Sequence, residues 1–395
     1  MAKSIKQKVK IIILILGVLF IISGLAFYAA EKSTSPKYEN KIDKLLFDRG
    51  NKSPKYVITL PDKKALKATK LEEKKEETEK KNPRAYSGLT NEEIQLRELI
   101  NNTPNLNKLK DIADNVPLKN IEVDSKLSRI EENMTLPKIS GDGQKAWIEY
   151  ARPRKTVQPN FSRVSIIIKN MGLDRRTTNA VIHKFPSEIS ISFSPYGNEN
   201  DKLISEARQQ GHETYVDMYL SSKDFLKSDS GPLAMSMTAS QEENKRRLKM
   251  TVSSKSAIGG VIVNIGVADE NNKKRLEELF EEVKEMGLLL IDATGETGVQ
   301  NVETKELARQ KADIVINHDY NRDNIRRQLM NAELLAQDKG FVLIAVEPKP
   351  VALIEIYDWI NSFSPQYTYE EMKEKNITSI EKPFALVPIS EVVVE

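Results

Sequence analysis

The residues best placed for chemistry are polar and charged side chains that follow short apolar runs. These runs are rich in Val, Ile and Leu, as buried strands are. Parallel strands bring their carboxyl ends to one edge of a sheet, where ligands bind. The candidates for a pocket at that edge are Lys169, Asn170, Asn264, Asp292, Asn317, His318 and Glu347.

Several kinds of catalytic centre are excluded or poorly supplied. The chain has no Cys, no Gly-x-Ser-x-Gly elbow and no glycine-rich loop that would hold phosphate. It has three histidines. His183 falls in a predicted helix and is interpreted as a surface or capping residue, and His212 starts a strand, which favours a structural role. Only His318 follows a strand and is a candidate for lining a pocket.

The candidate residues depend on alternating strands and helices from about residue 161 onward. The β-branched runs occupy residues 164–168, 189–193, 214–218, 260–264, 288–291, 314–316 and 342–346. Amphipathic helices are predicted between them, with Gly211, Gly287 and Gly340 ending helices where a positive φ is needed. The alternation predicts an α/β fold with about seven parallel strands. It leaves open a barrel or an open doubly wound sheet.

Helix starts are predicted from capping residues. Thr238 begins a capping box, and Asp269 can cap a helix that carries Leu276 and Phe280. Earlier in the chain, short helices are predicted after Thr90, after Thr103 with Pro104, and after Ser125 with Leu127, Ile130 and Met134.

The first thirty residues predict a membrane anchor. Residues 1–10 carry four lysines and no acid, and residues 11–30 carry no charge. Twenty helical residues span about 30 Å, the thickness of the hydrocarbon core of a bilayer. The flanking lysines predict a cytoplasmic N-terminus. The alternative is a cleaved signal peptide, which would have a shorter apolar run and a small-residue cleavage site.

Residues 31–145 are predicted to be a stalk and residues 146–395 a globular domain. Between residues 62 and 81, fourteen of twenty residues are charged, so this stretch cannot bury a core. The chain has 60 Lys and Arg against 57 Asp and Glu, which does not favour nucleic acid as a partner. An exported domain without cysteine suits a bacterial envelope, with the anchor in the inner membrane and the domain in the periplasm.

Several stretches resemble the divergent polysaccharide deacetylases of bacterial envelopes. They include Ala146-Trp147-Ile148-Glu149-Tyr150, Ser192-Phe193-Ser194-Pro195-Tyr196, Ala207-Arg208-Gln209-Gln210-Gly211-His212-Glu213 and Val346-Glu347-Pro348-Lys349-Pro350. The resemblance runs from about residue 146 to about residue 388. It implies a distorted (β/α) barrel related to metal-dependent carbohydrate deacetylases.

The sequence departs from the pattern of that family at the metal site. Where the family has paired aspartates after strand one, this chain has Lys169 and Asn170. Asn264 stands in the region of an expected His, Asn317 replaces an expected Asp, and Glu347-Pro348-Lys349 replaces His-Pro-His. Asp292 is retained. The resemblance therefore implies a degenerate site, since the Lys169 ammonium would repel a divalent ion.

We interpret Lys169, Asp292 and Glu347 as a salt-bridged network in place of a metal centre; the alternative is three solvated charges at a barrel rim. The leading hypothesis is a membrane-anchored, periplasmic pseudoenzyme without a cofactor, which binds an envelope glycan or an envelope protein. A second hypothesis is an active carbohydrate deacetylase, with zinc or another divalent metal at a site built from Asp292, His318 and Glu347. A third is a structural scaffold of the envelope.

Overall fold

A computed structural model describes residues 104–111, 115–221, 230–236, 238–264, 273–295, 299, 302, 304–364, 371, 375 and 382–393. The predicted anchor at 11–30, the charged stretch at 62–81 and the predicted helix after Thr90 lie outside these residues. Among the residues described, no helix has both the length and the apolar character needed to cross a bilayer. The described residues all belong to one compact unit.

The strands in the described residues are three to ten residues long, and most of their residues are buried. They are β1 (Ser128–Glu131), β2 (Met134–Pro137), β3 (Ser162–Met171), β4 (Ser190–Phe193), β5 (Thr214–Tyr219), β6 (Gly260–Asn264), β7 (Leu289–Asp292), β8 (Arg309–Lys311), β9 (Ile314–Ile316), β10 (Phe341–Val346) and β11 (Phe384–Leu386).

Helices connect most of the strands of the main sheet. They are α1 (Ala146–Glu149), α2 (Arg175–Lys184), α3 (Asn200–Gln209), α4 (Gln241–Val252), α5 (Lys273–Glu285), α6 (Arg322–Lys339) and α7 (Pro350–Ile360), with 3-10 turns at Leu106–Lys108, Ser125–Leu127 and Ile389–Glu391.

The main sheet is parallel and curls into a half-barrel. Its strands follow the order β8-β7-β6-β5-β4-β3-β10-β9, and β11 pairs with β3. The predicted α/β class and all seven predicted strands are confirmed. Of the strands that the sequence did not predict, β8 has the sequence Arg-Gln-Lys, which carries no apolar signal.

The two faces of this sheet bury different sets of side chains. Ile166 and Ile168 of β3 belong to the large cluster that the outer helices cover, whereas Ile167 between them belongs to a smaller cluster on the other face. We call this other face the concave face. Its cluster also holds Tyr215 and Ile262, and the residues that complete it include Leu289, Ile291, Leu343, Ala345, Trp147 and Ile389. Side-chain alternation along each strand therefore decides which residues point into the half-barrel.

The outer helices follow the predicted amphipathic pattern, with one change in capping. Leu276 and Phe280 are buried on α5, whose predicted cap, Asp269, lies outside the described residues. α4 begins after Ser240, whose hydroxyl accepts from the Glu243 N–H at 3.2 Å. The predicted cap at Thr238 is therefore wrong, because a residue nearer the first helical turn supplies the acceptor. Gly211, Gly287 and Gly340 have the predicted positive φ of 87°, 65° and 81°.

The predicted helix after Ser125 is wrong. A 3-10 turn at Ser125–Leu127 leads into the antiparallel hairpin of β1 and β2. Glu132 and Asn133 connect these strands with φ of 48° and 63°, as a two-residue hairpin loop requires. Leu127 and Leu136 are buried in the large cluster, so part of the segment predicted as stalk contributes to the core.

The segment predicted as a helix after Thr103 contains only a short turn in its described part. Asn105 caps the 3-10 turn Leu106–Lys108 by accepting from the Asn107 N–H at 3.0 Å. Leu106 is buried, while Thr103 and Ile112 lie outside the described residues. The cap is therefore Asn105, two residues later than predicted, and the turn ends at Leu109, whose backbone is extended.

Candidate functional site

Four strands place polar residues on the concave face at their carboxyl ends. Lys169 follows Ile167 by two positions on β3, and Asp217 follows Tyr215 on β5. Asn264 follows Ile262 at the end of β6, and Glu347 lies two residues beyond Ala345 of β10. Because alternate residues of a strand share a face, all four side chains face the same interior. We call the group formed with two further neighbours the strand-end cluster: Lys169, Asn170, Asp217, Tyr219, Asn264 and Glu347.

Lys169 occupies the middle of the strand-end cluster. Its side chain is 3% exposed, and its Nζ lies 3.2 Å from Oε1 of Glu347. Nζ also donates to Oδ1 of Asn264 at 2.8 Å. Burying an ammonium is costly unless it is paired and hydrogen-bonded, and here both conditions are met.

Asp217 is a buried carboxyl group beneath this lysine. Its Oδ2 accepts from the Asn170 N–H at 2.9 Å, and its Oδ1 accepts from Nδ2 of Asn264 at 2.6 Å. Burial raises the pKa of Asp217 to about 7, although the positive charge of Lys169 partly offsets this effect. The sequence prediction missed this residue. The signal was present, since Asp217 is an acid within the run Thr-Tyr-Val-Asp-Met-Tyr of β5.

Asn170 joins Glu347 to the aromatic side of the cluster. It has a φ of 58° where the pairing of β3 with β4 shifts register, so its side chain leaves the regular alternation. Its Nδ2 donates to both carboxylate oxygens of Glu347, at 2.8 and 2.7 Å. Its Oδ1 accepts from the hydroxyl of Tyr219.

Tyr219 closes the cluster against the ring of Tyr196. The two ring centroids are 5.6 Å apart with an interplanar angle of 27°. Burial raises the pKa of Tyr219, so its phenol stays neutral and remains a hydrogen-bond donor. The hydroxyl oxygen of Tyr219 also lies 3.2 Å from Oγ of Ser194. The site thus combines aromatic rings with amide, hydroxyl and carboxylate groups.

The structure places the remaining predicted site residues apart from this cluster. Asp292 follows Leu290, which packs in the large outer cluster, so its alternation directs it away from the concave face. Its Oδ2 lies 3.1 Å from a guanidinium nitrogen of Arg309, and its Oδ1 accepts from the Thr294 hydroxyl at 2.8 Å. Asn317 and His318 are exposed and contact each other. The network of Lys169 with Glu347 therefore forms without Asp292.

The other two histidines contact groups away from the cluster. Nε2 of His183 lies 2.9 Å from Oε1 of Glu206 on a neighbouring helix. His212 is fully buried, with its ring nitrogens 2.7 Å from the carbonyl oxygen of Ile189 and 3.0 Å from that of Ile182. These contacts give His212 a structural position between α2 and β4.

The donor set of the strand-end cluster does not fit a divalent metal. Lys169 already supplies a positive charge within 3.2 Å of the Glu347 carboxylate, and a metal ion in that space would be repelled by it. The imidazole and carboxylate ligands that zinc prefers are reduced here to Asp217 and Glu347. Among the side chains described, no three His, Asp or Glu residues are close enough to share a metal ion. Asp292 pairs with Arg309, and His318 contacts Asn317. Because Glu347 pairs with Lys169, the side chains of Asp292, His318 and Glu347 do not converge.

Comparison with known proteins identifies a family, and a solved structure with a similar fold. The profile of a family described as divergent polysaccharide deacetylase matches residues 166–392. The uncharacterized protein ATU2773 from Agrobacterium tumefaciens C58 has a crystal structure that aligns with a TM-score of 0.56 at 20% identity, over 66% of this chain and 100% of that chain.

A weaker structural match and the curated proteins add no functional argument. A putative cellobiose-phosphate cleavage protein, EF3048 from Enterococcus faecalis V583, aligns with a TM-score of 0.35 at 13% identity, over 59% of this chain and 100% of that chain. No curated protein matches the sequence.

Proposed function

Because this chain belongs to the divergent polysaccharide deacetylase family, we propose that it is a membrane-anchored, periplasmic member that binds an envelope glycan without hydrolysing it. The observation that carries the proposal is the Lys169–Glu347 pair, with Nζ 3.2 Å from Oε1, at the carboxyl ends of the strands. In this position a lysine replaces the cation that a metal-dependent deacetylase would need.

Loss of the metal site removes the usual source of the nucleophile. A metal-dependent hydrolase lowers the pKa of bound water and so generates hydroxide near neutral pH. Lys169 is hydrogen-bonded to Asn264 and paired with Glu347, so its amine is not available as a base. Asp217 accepts two hydrogen bonds within the cluster and is fully buried, which keeps it from contact with a substrate.

Glycan binding is supported by the polar and aromatic groups at the edge of the cluster. Saccharide sites need apolar faces for the sugar ring and a few fixed polar groups for its hydroxyls. Tyr196 and Tyr219 supply stacked rings. Leu173, which follows β3, is 58% exposed and adds apolar surface next to Gly172. Membrane attachment is supported by the uncharged residues 11–30.

The proposal is tested on the purified full-length chain by metal analysis, acetate release and glycan binding. We expect no stoichiometric zinc or other transition metal, no acetate release from acetylated glycans, and retention on insoluble cell-wall polysaccharide. Changing Lys169→Asp together with Asn170→Asp should not create activity, because the imidazole ligands are still missing. Chelator-sensitive acetate release by the unmodified protein would overturn the proposal in favour of a hydrolase.

A pair of matched variants locates the glycan on the molecule. Tyr196→Ala removes one ring of the stacked pair and should weaken retention on the polysaccharide. Ile130→Ala changes a side chain that is 82% exposed on the β1–β2 hairpin, and should leave retention unchanged. Equal retention of both variants, after thermal unfolding has shown that both are folded, would exclude the strand-end cluster as the glycan site. Retention on an envelope protein alone would replace the glycan by a protein partner.

A further inference from the structure

A cavity lies at the opposite end of the half-barrel from the strand-end cluster. It has a volume of about 640 Å³, and Trp147 and Arg208 line it. Trp147 lies at the amino end of β7, since its backbone N–H donates to the carbonyl oxygen of Gly287 at 3.2 Å. Arg208 lies near the end of α3, six residues before the start of β5. We call this space the basal cavity.

The lining of the basal cavity is strongly basic. Its charged residues are Lys119, Arg152, Arg154 and Arg208 against a single acid, Glu149. Arg152 is partly neutralised, with its NH2 nitrogen 3.6 Å from Oε1 of Glu188. Lys119 and Arg154 are exposed, and neither forms a salt bridge with any residue that the structure describes. An excess of positive charge in a concave site concentrates anions there.

Arg208 places a desolvated charge in the cavity wall. It is 1% exposed, and its guanidinium donates to the carbonyl oxygens of Asn120 and Tyr150 and to the hydroxyl of Thr214. These partners are neutral, and in the described part of the chain no carboxylate forms a salt bridge with it. The negative charge of Glu213 acts on Arg208 without direct contact and offsets part of the effect of burial on its pKa. Burial lowers the pKa of Arg208 to about 10, so the group stays charged at neutral pH. A buried cation of this kind is stabilised when an anion approaches.

Trp147 adds an apolar wall and a hydrogen-bond donor. Its side chain is 7% exposed, and Ile148 beside it is 48% exposed. The indole N–H of Trp147 is buried without a hydrogen-bond partner among the residues described. Buried donors are normally paired, so an unpaired donor in the residue that forms this wall is unusual.

We propose that the basal cavity binds a small ligand that carries an oxyanion, a carboxylate or a phosphate, on a body the size of a sugar ring. Lys119, Arg152 and Arg154 would contact the oxyanion, Arg208 would supply fixed positive charge, and Trp147 would contact the body of the ligand. The site is separate from the strand-end cluster and does not depend on the glycan proposed there.

The test uses isothermal titration calorimetry of the full-length chain with three probes at one ionic strength. Glucuronate presents a carboxylate, glucose 6-phosphate presents a phosphate, and glucose is neutral. We expect at least one anionic probe to bind at millimolar or lower concentration and glucose not to bind. The relative affinities of glucuronate and glucose 6-phosphate then identify the preferred oxyanion.

Matched double variants locate the binding. Lys119→Ala with Arg154→Ala should lower the affinity for the anionic probe by about tenfold or more, because charge-assisted hydrogen bonds are lost. Arg176→Ala with Lys274→Ala removes the same charge from exposed positions outside the cavity and should change the affinity little. Tyr196→Ala should also leave it unchanged. No binding of either anion, equal binding of glucose, or equal weakening by the two double variants would overturn the proposal.

Discussion

Lys169 is the residue on which the site depends most directly. Changing Lys169→Met keeps a similar volume but leaves the carboxylates of Glu347 and Asp217 without the ammonium between them. Breaking a buried ion pair from one side costs about 3–5 kcal/mol of the free energy of unfolding. Because Glu347 is 20% exposed, we expect a loss near the lower end of that range. Urea denaturation of the full-length chain measures it.

A surface pair provides the matched control for this change. Nζ of Lys339 lies 2.6 Å from Oδ1 of Asp313, and the lysine side chain is 47% exposed. Lys339→Met should therefore cost only about 0–1 kcal/mol. Adding Glu347→Gln to Lys169→Met should cost little more, because the charge that was left unpaired is also removed. Similar losses for the two lysine variants would show that Lys169 is effectively solvated.

Asp217 should make the stability of the protein depend on pH. Its pKa is about 7 in the folded chain against an ordinary value of 3.8, so the folded state binds the proton more tightly than the unfolded state. Stability is then greatest below about pH 4, falls as the pH rises from about 4 to about 7, and is level above that. At 1.36 kcal/mol for each pKa unit, the change is at most about 4 kcal/mol.

The measurement compares urea midpoints near pH 4.5 and near pH 7.5 for the unmodified chain and two variants. Asp217→Asn cannot ionise and should flatten the fall in stability between these values, whatever its absolute stability. Asp358→Asn alters an exposed carboxyl group and should retain the fall. An unchanged fall in Asp217→Asn would mean that other groups cause it.

At the level of elements, the pairing of β6 with β7 leaves no room for a side chain at Gly260. A Cβ at this position would lie 2.2 Å from the carbonyl oxygen of Leu289, a backbone atom that cannot move without disturbing the ladder. Gly260→Ala should therefore destabilise the protein by about 1–3 kcal/mol or more. The strand that ends in Asn264 would be displaced, so the strand-end cluster should be disturbed as well.

Gly141 offers a control for the same substitution. A Cβ there meets nothing within 4 Å, and no positive φ has to be maintained. Gly141→Ala should leave the free energy of unfolding within about 0.5 kcal/mol or raise it slightly, through the entropy of the unfolded chain. Thermal unfolding of both variants makes the comparison, and equal melting temperatures would contradict the close approach of β6 and β7.

At the level of the whole molecule, we predict that the chain is held in a membrane by residues 11–30, with its C-terminus on the far side. The full-length protein should stay in the membrane fraction after an alkaline wash, because uncharged helical residues of this number span the bilayer. A reporter that works only outside the cytoplasm, fused after Glu395, should be active. Mass analysis should find the original N-terminus; processing near Ala26 or Ala30 would instead identify a cleaved signal peptide.

The sequence was sufficient for the features that depend on local pattern. Apolar runs of β-branched residues predicted the seven strands, and their alternation with helices predicted a parallel sheet. Positions just after strands predicted Lys169, Asn170, Asn264 and Glu347 as neighbours. The strands and the parallel sheet are confirmed, and these four side chains contact one another, because a strand end is defined by residues next to it in the chain. Their role as a functional pocket stays a prediction. The hairpin of β1 and β2 was missed, since its apolar residues also fit a helical spacing.

Only the tertiary structure decided which charges meet. Lys169 and Glu347 are brought together because β3 and β10, far apart in sequence, pair directly in the sheet. Asp292 was expected in the same network, but its position in the alternation turns it to the other face, toward Arg309 of the unpredicted β8. The pKa of Asp217 is set by its burial, which depends on the strands packed around it. Local pattern fixes where a side chain sits along its strand, whereas long-range pairing and burial determine its partner and its charge.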